Sequence, residues 1–203
     1  MLTSIYKTYQ DIYFRTYRRL SHFLSLIYFA VNGVKHGEFV CIGLPLLDIH
    51  SNAHCVFASG LSMVSKDKFA TLGKNKRCKI VVSSGAKLTI GTNVGMSNTT
   101  IVATLSVELG NNILIGGGTT IVDTDFHSLN PVHWHTPDDL KYMASAPVVI
   151  NDNVFIGMDS IILKGVSIGS NVIIAAGSVV TKNIPENQVW GGNPARFIKN
   201  NKT

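Results

Sequence analysis

The chain has 203 residues, of which 45% are hydrophobic and 15% charged, and its formal net charge is +6. This length suits one large domain, or one domain with an appendage. The mean hydropathy of +0.23 is sufficient for a continuous core, and the isoelectric point near 9.3 allows an anionic partner. Because no arginine- and lysine-rich block carries interleaved aromatic residues, we expect no nucleic acid partner. A phosphorylated cofactor or an anionic membrane surface accounts for the positive charge instead.

Residues 1–35 form a separate N-terminal segment with a helical pattern. Apolar and aromatic side chains recur every three or four residues with basic residues among them, which predicts an amphipathic helix that ends near Asn32 and Gly33. The apolar stretch Phe23 to Val31 is too short to span a bilayer.

Two roles for this helix are open. It could cap the first coil of the domain that follows, by burying Leu20, Leu24 and Ile27. Alternatively, residues 1–32 could make a weak peripheral contact with a membrane. The size of the apolar surface favours the capping role.

Residues 36–199 carry a six-residue repeat, which is most regular from Ile150 to Pro185. There the chain reads INDNVF, IGMDSI, ILKGVS, IGSNVI, IAAGSV, VTKNIP, with an aliphatic residue at every first position. A period of six is neither helical nor that of a simple strand, but it fits a short strand plus a turn. Three such units make one coil of a triangular β-solenoid, with the first positions stacked inside. We expect Gly157 and Gly169 to relax the backbone near its corners.

The repeat is weaker in the first half of the domain. Its first positions there are Ile49, Cys55, Leu61, Cys78, Ser84, Ile90, Met96 and Val102, and one extra residue falls near Glu108. A basic loop from Lys66 to Arg77 interrupts it. The three cysteines have neither metal-binding nor redox spacing, and they are expected to be buried, reduced thiols of a cytoplasmic protein.

A long loop, residues 126–143, interrupts the repeat and should project sideways from the solenoid. Loops of this length in a compact repeat are usually functional. At its base Asp123 and Asp125 precede His127, and a histidine oriented by a carboxylate can act as a general base. His133 and His135 could be metal ligands, but no third ligand follows at a suitable spacing, so we expect no metal.

Together, the hexads, the sequence DTDFH at the base of the loop and the closing sequence GGNPARFI resemble the hexapeptide-repeat acyltransferases. Within this family, the chain is most similar to the O-acetyltransferases that modify capsular polysaccharide and O-antigen sugars. The resemblance implies a left-handed parallel β-helix, a homotrimer with active sites between subunits, and acetyl-CoA as the acyl donor.

The resemblance also assigns roles to individual residues. His127 matches the catalytic base, and Asp125 or Asp123 would orient it, with Asp125 as the first choice. Ser128 stands where the galactoside and maltose enzymes have proline. The residues that match coenzyme A contacts are Met158, Ala176, Gly177, Ser178, Thr181, Lys182 and Arg196. Lys182 and Arg196 would supply positive charge to the phosphates.

The acceptor side matches the family less well. Ser97 and Thr104 stand where galactoside-type relatives offer asparagine and aspartate to the sugar, and Asn98 lies next to Ser97. We therefore expect Ser97 and Asn98 to contact an acceptor other than a free galactoside or maltose. The main interpretation is O-acetylation of a surface glycan or its lipid-linked precursor. The alternatives are N-acetylation of an amino-sugar nucleotide, a zinc hydratase of the γ-class carbonic anhydrase type, and a non-enzymatic solenoid.

Overall fold

The computed structural model describes residues 2–66 and 77–202. The predicted basic loop between Lys66 and Arg77 therefore lies almost entirely outside the described residues. In the described part, the chain forms a long helix, α1 (Leu2–Val31), followed by a parallel β-solenoid of three sheets.

Each coil of the solenoid contributes one strand to each sheet in turn. Sheet A comprises β1 (Lys35–His36), β4 (His54–Phe57), β7 (Lys87–Ile90), β10 (Ser106–Leu109), β13 (Val148–Ile150) and β16 (Ser167–Ile168). Sheet B comprises β2 (Phe39–Ile42), β5 (Leu61–Val64), β8 (Gly95–Ser97), β11 (Leu114–Ile115), β14 (Phe155–Ile156), β17 (Ile173–Ile174), β19 (Gln188–Gly191) and β20 (Arg196–Asn200). Sheet C comprises β3 (Leu46–Ile49), β6 (Lys79–Val82), β9 (Thr100–Ala103), β12 (Thr120–Val122), β15 (Ile161–Ile162) and β18 (Val179–Val180).

The interior of the last two coils confirms the predicted repeat. All six first positions of the hexads are buried, and they are Ile150, Ile156, Ile162, Ile168, Ile174 and Val180. The fifth positions are buried as well, and they are Val154, Ser160, Val166, Val172, Ser178 and Ile184. Neighbouring first positions pair across coils, as Ile150 does with Ile168 and Ile156 with Ile174. The core is therefore a stack of aliphatic side chains from identical positions of successive coils.

The predicted register is wrong at two positions of the first half. Ser84 is exposed and lies in a turn, and Val82 occupies the interior instead. In β9, Ile101 and Ala103 point inward, so that Val102 is only partly buried. These strands have four residues rather than two, so two side chains of each strand reach the core and the hexad no longer marks one inward position.

Asparagines shape the corner between sheets A and B. Five of them, Asn93, Asn112, Asn153, Asn171 and Asn187, have left-handed backbone conformations with φ between 55° and 60°. Each of the first four side chains donates to the next along the solenoid axis, with N–O distances of 2.9–3.2 Å. Asparagine tolerates this conformation better than most residues. The asparagines thus form the turn that each coil requires and also hydrogen-bond successive coils to one another.

The two glycines that were expected to relax the corners have a different role. Neither Gly157 nor Gly169 has positive φ. A Cβ atom on Gly157 would lie 2.4 Å from the backbone nitrogen of Ala176, and one on Gly169 would lie 2.5 Å from that of Glu186. Glycine is needed at these positions because successive coils approach each other closely.

Helix α1 packs on β2, but through a different face from the one predicted. Leu20, Leu24 and Ile27 are exposed. The buried residues of α1 are Ser21, Ser25 and Phe29, which follow each other at intervals of four residues. The expectation that the three aliphatic side chains cap the first coil is therefore wrong.

Small and aromatic side chains make this helix contact. The Ser21 hydroxyl donates to the carbonyl of Cys41 in β2 at 3.1 Å. Phe29 is fully buried and stacks on Phe39, with a centroid separation of 4.6 Å, and it meets Phe57 edge-on. The serines allow close approach, and Phe29 covers the open end of the core. The helix ends as predicted, at Val31, with Gly33 at φ 68°.

The opposite end of the solenoid is closed by β19 and β20. β19 extends sheet B parallel to β17, and β20 returns antiparallel to it. Cys41, Cys55 and Cys78 are free and buried, and burial raises the pKa of Cys41 to about 12 and that of Cys55 to about 11. Among the described residues, no helix is both long and apolar enough to cross a bilayer.

Candidate active site

The long loop leaves the solenoid between β12 and β13, at the corner where sheet C passes to sheet A. Its base is closed by an antiparallel bridge between Thr124 and Ser145 and by the Ala146 amide, which donates to the Asp123 carbonyl. The loop contains a short 3-10 helix, Pro131–His133, and one turn of α-helix, α2 (Asp138–Lys141). The predicted loop is thus a folded extension of one corner.

His127 lies at the start of this loop, and Asp139 holds its ring. Nδ1 of His127 lies 2.7 Å from Oδ2 of Asp139, and the other oxygen, Oδ1, accepts from the Ser128 amide at 2.8 Å. An ionised carboxylate only accepts hydrogen bonds, so Nδ1 carries a proton, and in the neutral form of the ring the lone pair is then on Nε2. The His127 side chain is 71% exposed, whereas that of Asp139 is 12% exposed. An exposed imidazole held in this tautomer can accept a proton from a bound molecule.

The prediction that Asp125 or Asp123 orients His127 is wrong, because both carboxylates are bonded elsewhere. Oδ2 of Asp125 forms an ion pair with Nζ of Lys164 at 3.1 Å. Asp123 is fully buried and accepts at 2.7–2.9 Å from the amides of Thr104, Leu105 and Ser106 and from the Thr104 hydroxyl. Asp123 therefore fixes the turn of the preceding coil, on which the loop rests.

Ser128 connects the loop's internal contacts. Its hydroxyl bonds to Nδ1 of His133 at 2.8 Å, and its carbonyl accepts from the indole of Trp134 at 2.7 Å. Its amide donates to Asp139, which a proline at this position could not do. The Ser128 amide therefore provides the bond that helps to place Asp139 against His127. Asp139 itself was missed because no sequence spacing links a histidine to a carboxylate twelve residues later in a loop.

The hydrogen bonds from His127 and then from the Ser128 amide hold the pKa of Asp139 below its ordinary value of 3.8. Because the folded-state pKa is depressed, this carboxylate stabilises the loop above its ordinary pKa, and the effect is lost as the pH falls through the lowered value.

We therefore expect the Ser128 amide to stay protected from hydrogen exchange at neutral pH and to lose protection only in strong acid. In Asp139→Ala protection should be weak at every pH, because the acceptor is missing. Hydrogen exchange read by NMR measures this directly. A matched variant is Asp138→Ala, which removes an exposed carboxylate from the same turn and should leave Ser128 protected. Equal protection in wild type and Asp139→Ala would contradict the assignment.

Most residues matched to coenzyme A contacts lie at the two edges of sheet C, and Arg196 begins β20 of sheet B. Met158 follows β14, and Ala176 and Gly177 follow β17, at the corner between sheets B and C. Thr181 and Lys182 follow β18 at the other edge, which is the corner from which the long loop leaves. Within one chain, the matched residues therefore lie at separate corners of the solenoid and do not line a single cavity.

Most of the matched residues are accessible to a ligand. Ala176, Gly177, Thr181, Lys182 and Arg196 are exposed, and Met158 is partly buried. The Met158 carbonyl accepts from the Gly177 amide at 2.8 Å, which stacks the two segments on successive coils.

Ser178 has a structural side chain. It is fully buried, and its hydroxyl donates to the Ala175 carbonyl and accepts from the Gly192 amide. The hydroxyl is therefore not available to a ligand.

The two residues expected to contact the acceptor differ in accessibility. Ser97 is partly buried at the end of β8. Asn98 is 1% exposed and has φ 49°, as the corner residue that turns the chain toward β9. Asn98 presents no surface to a sugar, so that part of the prediction is wrong, and only Ser97 retains accessible surface.

Within residues 2–66 and 77–202, no group of three or more histidine, cysteine, aspartate or glutamate side chains could hold a metal ion. His133 and His135 do not converge on one point. His133 bonds to Ser128 and stacks on Tyr142, with a centroid separation of 4.5 Å, whereas His135 is exposed.

Comparison with known proteins gives the family. Residues 147–182 match the model described as bacterial transferase hexapeptide (six repeats). A galactoside O-acetyltransferase from Escherichia coli (strain K12) is 36% identical over 171 residues, which cover 79% of this chain and 82% of that protein. This chain belongs to the hexapeptide-repeat acetyltransferases.

Solved structures agree with this membership. A galactoside acetyltransferase in complex with coenzyme A is 36% identical, with a TM-score of 0.53 over 61% of this chain and 60% of that chain. A hexapeptide-repeat acetyltransferase from Vibrio cholerae, complexed with acetyl coenzyme A, is 29% identical, with a TM-score of 0.54 over 61% of this chain and 66% of that chain. An N-acyltransferase from Bacillus cereus, 19% identical with a TM-score of 0.62 over 88% of this chain and 89% of that chain, shares the fold. The predicted left-handed parallel β-helix and the predicted family are confirmed.

Proposed function

We propose that this hexapeptide-repeat acetyltransferase moves an acetyl group from acetyl-CoA to a sugar hydroxyl, with His127 as the general base. The observation that carries the proposal is the exposed His127 ring, held through Nδ1 by the Asp139 carboxylate at 2.7 Å. Relatives named as galactoside O-acetyltransferases, and one solved with coenzyme A, support the donor and the reaction class.

The proposed chemistry is one direct transfer. Nε2 of His127 takes the proton of the acceptor hydroxyl as its oxygen attacks the thioester carbonyl. The C–S bond then breaks, and coenzyme A leaves as its thiolate, which takes the proton from the His127 imidazolium and so restores the neutral base. Asp139 stabilises the imidazolium that forms, as the buried carboxylate of a catalytic triad does. Backbone amides or a bound water would stabilise the oxyanion of the tetrahedral intermediate.

The residues proposed to hold acetyl-CoA fit the chemistry of that molecule. The exposed backbone at Ala176 and Gly177 could bond the amides of its pantetheine arm. The exposed side chains of Lys182 and Arg196 offer positive charge to its phosphates. Met158 and Thr181 complete the proposed binding surface, and Ser178 contributes only by locking the corner beneath it.

We propose a capsular or O-antigen-type glycan, or its lipid-linked precursor, as the acceptor. The hydrogen bonds between Thr104 and Asp123 support an acceptor other than a free galactoside. Thr104, which stands at the family's acceptor aspartate, uses its amide and hydroxyl to bond Asp123 at 2.7 and 2.9 Å. Ser97 remains the proposed sugar contact on this chain. The three free cysteines support an enzyme of a reducing compartment, namely the cytoplasm. Its acceptor would be presented at the inner face of the membrane.

We also propose a homotrimer. One reason is that the matched residues lie at both edges of sheet C, so that one chain alone does not bring them together. The other is that Leu114 and Phe155 lie side by side on the outer face of sheet B and are 60% and 46% exposed. Adjacent exposed apolar side chains of this kind mark an association surface.

Sedimentation equilibrium is therefore expected to give about three times the subunit mass of 22.0 kDa. Leu114→Ser combined with Phe155→Ser should weaken the assembly and lower activity together, because the active site needs both subunits. The control is Leu129→Ser, an exposed apolar residue of the loop, which should remain trimeric. A monomeric wild type with full activity would exclude the trimer.

The experiment that tests the function uses purified protein, acetyl-CoA and a panel of acceptors, with release of the coenzyme A thiol as readout. The panel contains oligosaccharides of surface glycans, free galactosides and amino-sugar nucleotides. Turnover with the first group supports the proposal. Turnover confined to the amino-sugar nucleotides would establish N-acetylation instead, and turnover confined to galactosides would contradict the glycan acceptor.

A further inference from the structure

The apolar face of α1 points away from the solenoid. Ser21, Ser25 and Phe29 form the buried face, and Phe23 and Ile27 follow Ser21 and Ser25 by two residues each. Two residues turn a helix by about 200°, so they lie on the opposite side. We use the term outward stripe for the side chains of this side that are 49–60% exposed, and they are Ile5, Tyr9, Ile12, Leu20, Phe23 and Ile27. Their spacing of three, four and eight residues keeps them on one side.

The outward stripe extends along most of a 30-residue helix, which is about 45 Å long. From Thr3 to Leu20 no residue of α1 is buried. An apolar surface of this length, which the described residues of the chain leave uncovered, indicates an interaction site.

Basic side chains border the outward stripe. Arg15 and Arg19, four residues apart, lie beside Ile12 on the helix surface, and together with Arg18 and His22 they line a cavity of about 500 Å³. Tyrosines occupy the other border, where Tyr13 stacks on Tyr9 of the outward stripe and Tyr17 stacks on Tyr13, with centroid separations of 6.3 and 6.0 Å. Apolar residues flanked by tyrosine on one side and arginine on the other are typical of a helix that lies in a membrane interface.

The charge of α1 decides between two occupants of this surface. The helix carries Lys7, Arg15, Arg18 and Arg19 against one acidic residue, Asp11, which gives a net charge of +3. A second copy of α1 on the outward stripe would bring two helices of the same charge together, which is unfavourable. Anionic lipid headgroups would instead be attracted to the arginines.

We propose that the outward stripe docks on a bilayer that contains anionic phospholipid, with Arg15 and Arg19 on the headgroup phosphates. This orientation uses a face opposite to the one on the solenoid, so docking and capping by α1 occur together. The inference deepens the proposed function. It rests on that function only for the purpose of docking, which is to bring the active site to an acceptor presented at the membrane.

The test is cosedimentation of the full-length protein with vesicles of phosphatidylcholine, with or without phosphatidylglycerol. We expect binding to the mixed vesicles that is at least about tenfold tighter than to phosphatidylcholine alone and that is weakened by salt. Ile5→Ser/Ile12→Ser/Phe23→Ser and Arg15→Gln/Arg19→Gln should each lower it by about tenfold or more. Lys199→Gln/Lys202→Gln, at the far end of the chain, is the charge control, and Leu129→Ser is the apolar control. Both controls should bind as wild type.

Two results would overturn the proposal. One is wild-type binding that is absent or insensitive to either set of α1 substitutions. The other is a loss of oligomer mass in the outward-stripe variant without loss of vesicle binding, which would identify a second copy as the occupant. The circular dichroism of each variant shows whether it is folded, and the arginine variant keeps the test decisive if the apolar variant is not. Acetyl transfer to a water-soluble acceptor, measured on the same preparations, reports on the proposed function separately.

Discussion

Replacing His127 with alanine should lower kcat by about two to four orders of magnitude, the usual effect of removing a general base. Binding of acetyl-CoA should persist, because the residues proposed to hold it lie on other coils. The measurement is thiol release at saturating acetyl-CoA, with isothermal titration for the binding. His54→Ala is the control, since His54 is an exposed histidine of β4, and its turnover should stay within about twofold of wild type. A folded His127→Ala enzyme that retains more than about a tenth of wild-type kcat would contradict the role.

Substitutions of two nearby carboxylates, Asp139 and Asp125, extend this experiment. Asp139→Asn should lower kcat by about one to three orders of magnitude and leave KM nearly unchanged, because the ring loses the partner that fixes its tautomer. Asp125→Asn removes an ion pair with Lys164 and should have a small effect. If Asp125→Asn lowered kcat as much as Asp139→Asn, the positioning role would belong to Asp125 after all.

Replacing Asp123 with alanine should destabilise the protein by about 3–5 kcal/mol. Three backbone amides, of Thr104, Leu105 and Ser106, would lose a buried acceptor, at about 1–3 kcal/mol for each unsatisfied group, partly relieved by water. For a chain of this size the loss corresponds to a fall of roughly 10 °C in Tm. Differential scanning calorimetry and urea unfolding provide the measurement.

Asp125→Ala is the matched control for this prediction. It removes a carboxylate two residues away that is partly exposed and has one cationic partner, so we expect a loss of about 1 kcal/mol or less. Equal losses for the two alanine variants would show that the four hydrogen bonds of Asp123 do not stabilise the fold.

The sequence predicted buried positions best where successive coils have the same length. From Ile150 to Pro185 every first hexad position is buried, as predicted, and every fifth position is buried as well. In the first half the strands are longer and the coils unequal, and the same rule placed Ser84 and Val102 in the interior wrongly. Periodicity predicts burial only while every coil has the same length.

The proposed catalytic histidine and the loop that carries it could be found from sequence, but the carboxylate that bonds to this histidine could not. DTDFH suggested a carboxylate close in the chain, whereas the loop folds back and brings Asp139 to His127. Asp123 accepts hydrogen bonds from groups 17–19 residues away in the chain, and Asp125 forms an ion pair with Lys164, 39 residues away. Hydrogen-bond partners in a folded loop depend on its path through space, about which the spacing of residues in the sequence gives no information.

The sequence by itself determined that the chain forms a solenoid, where its regular core lies and that its N-terminus is an amphipathic helix. The tertiary structure decided how that helix is used. Its apolar side was expected on the first coil, yet Ser21, Ser25 and Phe29 make that contact. An amphipathic pattern shows that one side of a helix favours an apolar environment but does not say which surface provides it. Packing on a strand also depends on close approach, and here small serines and one aromatic ring met that requirement while the larger aliphatic side chains stayed outside.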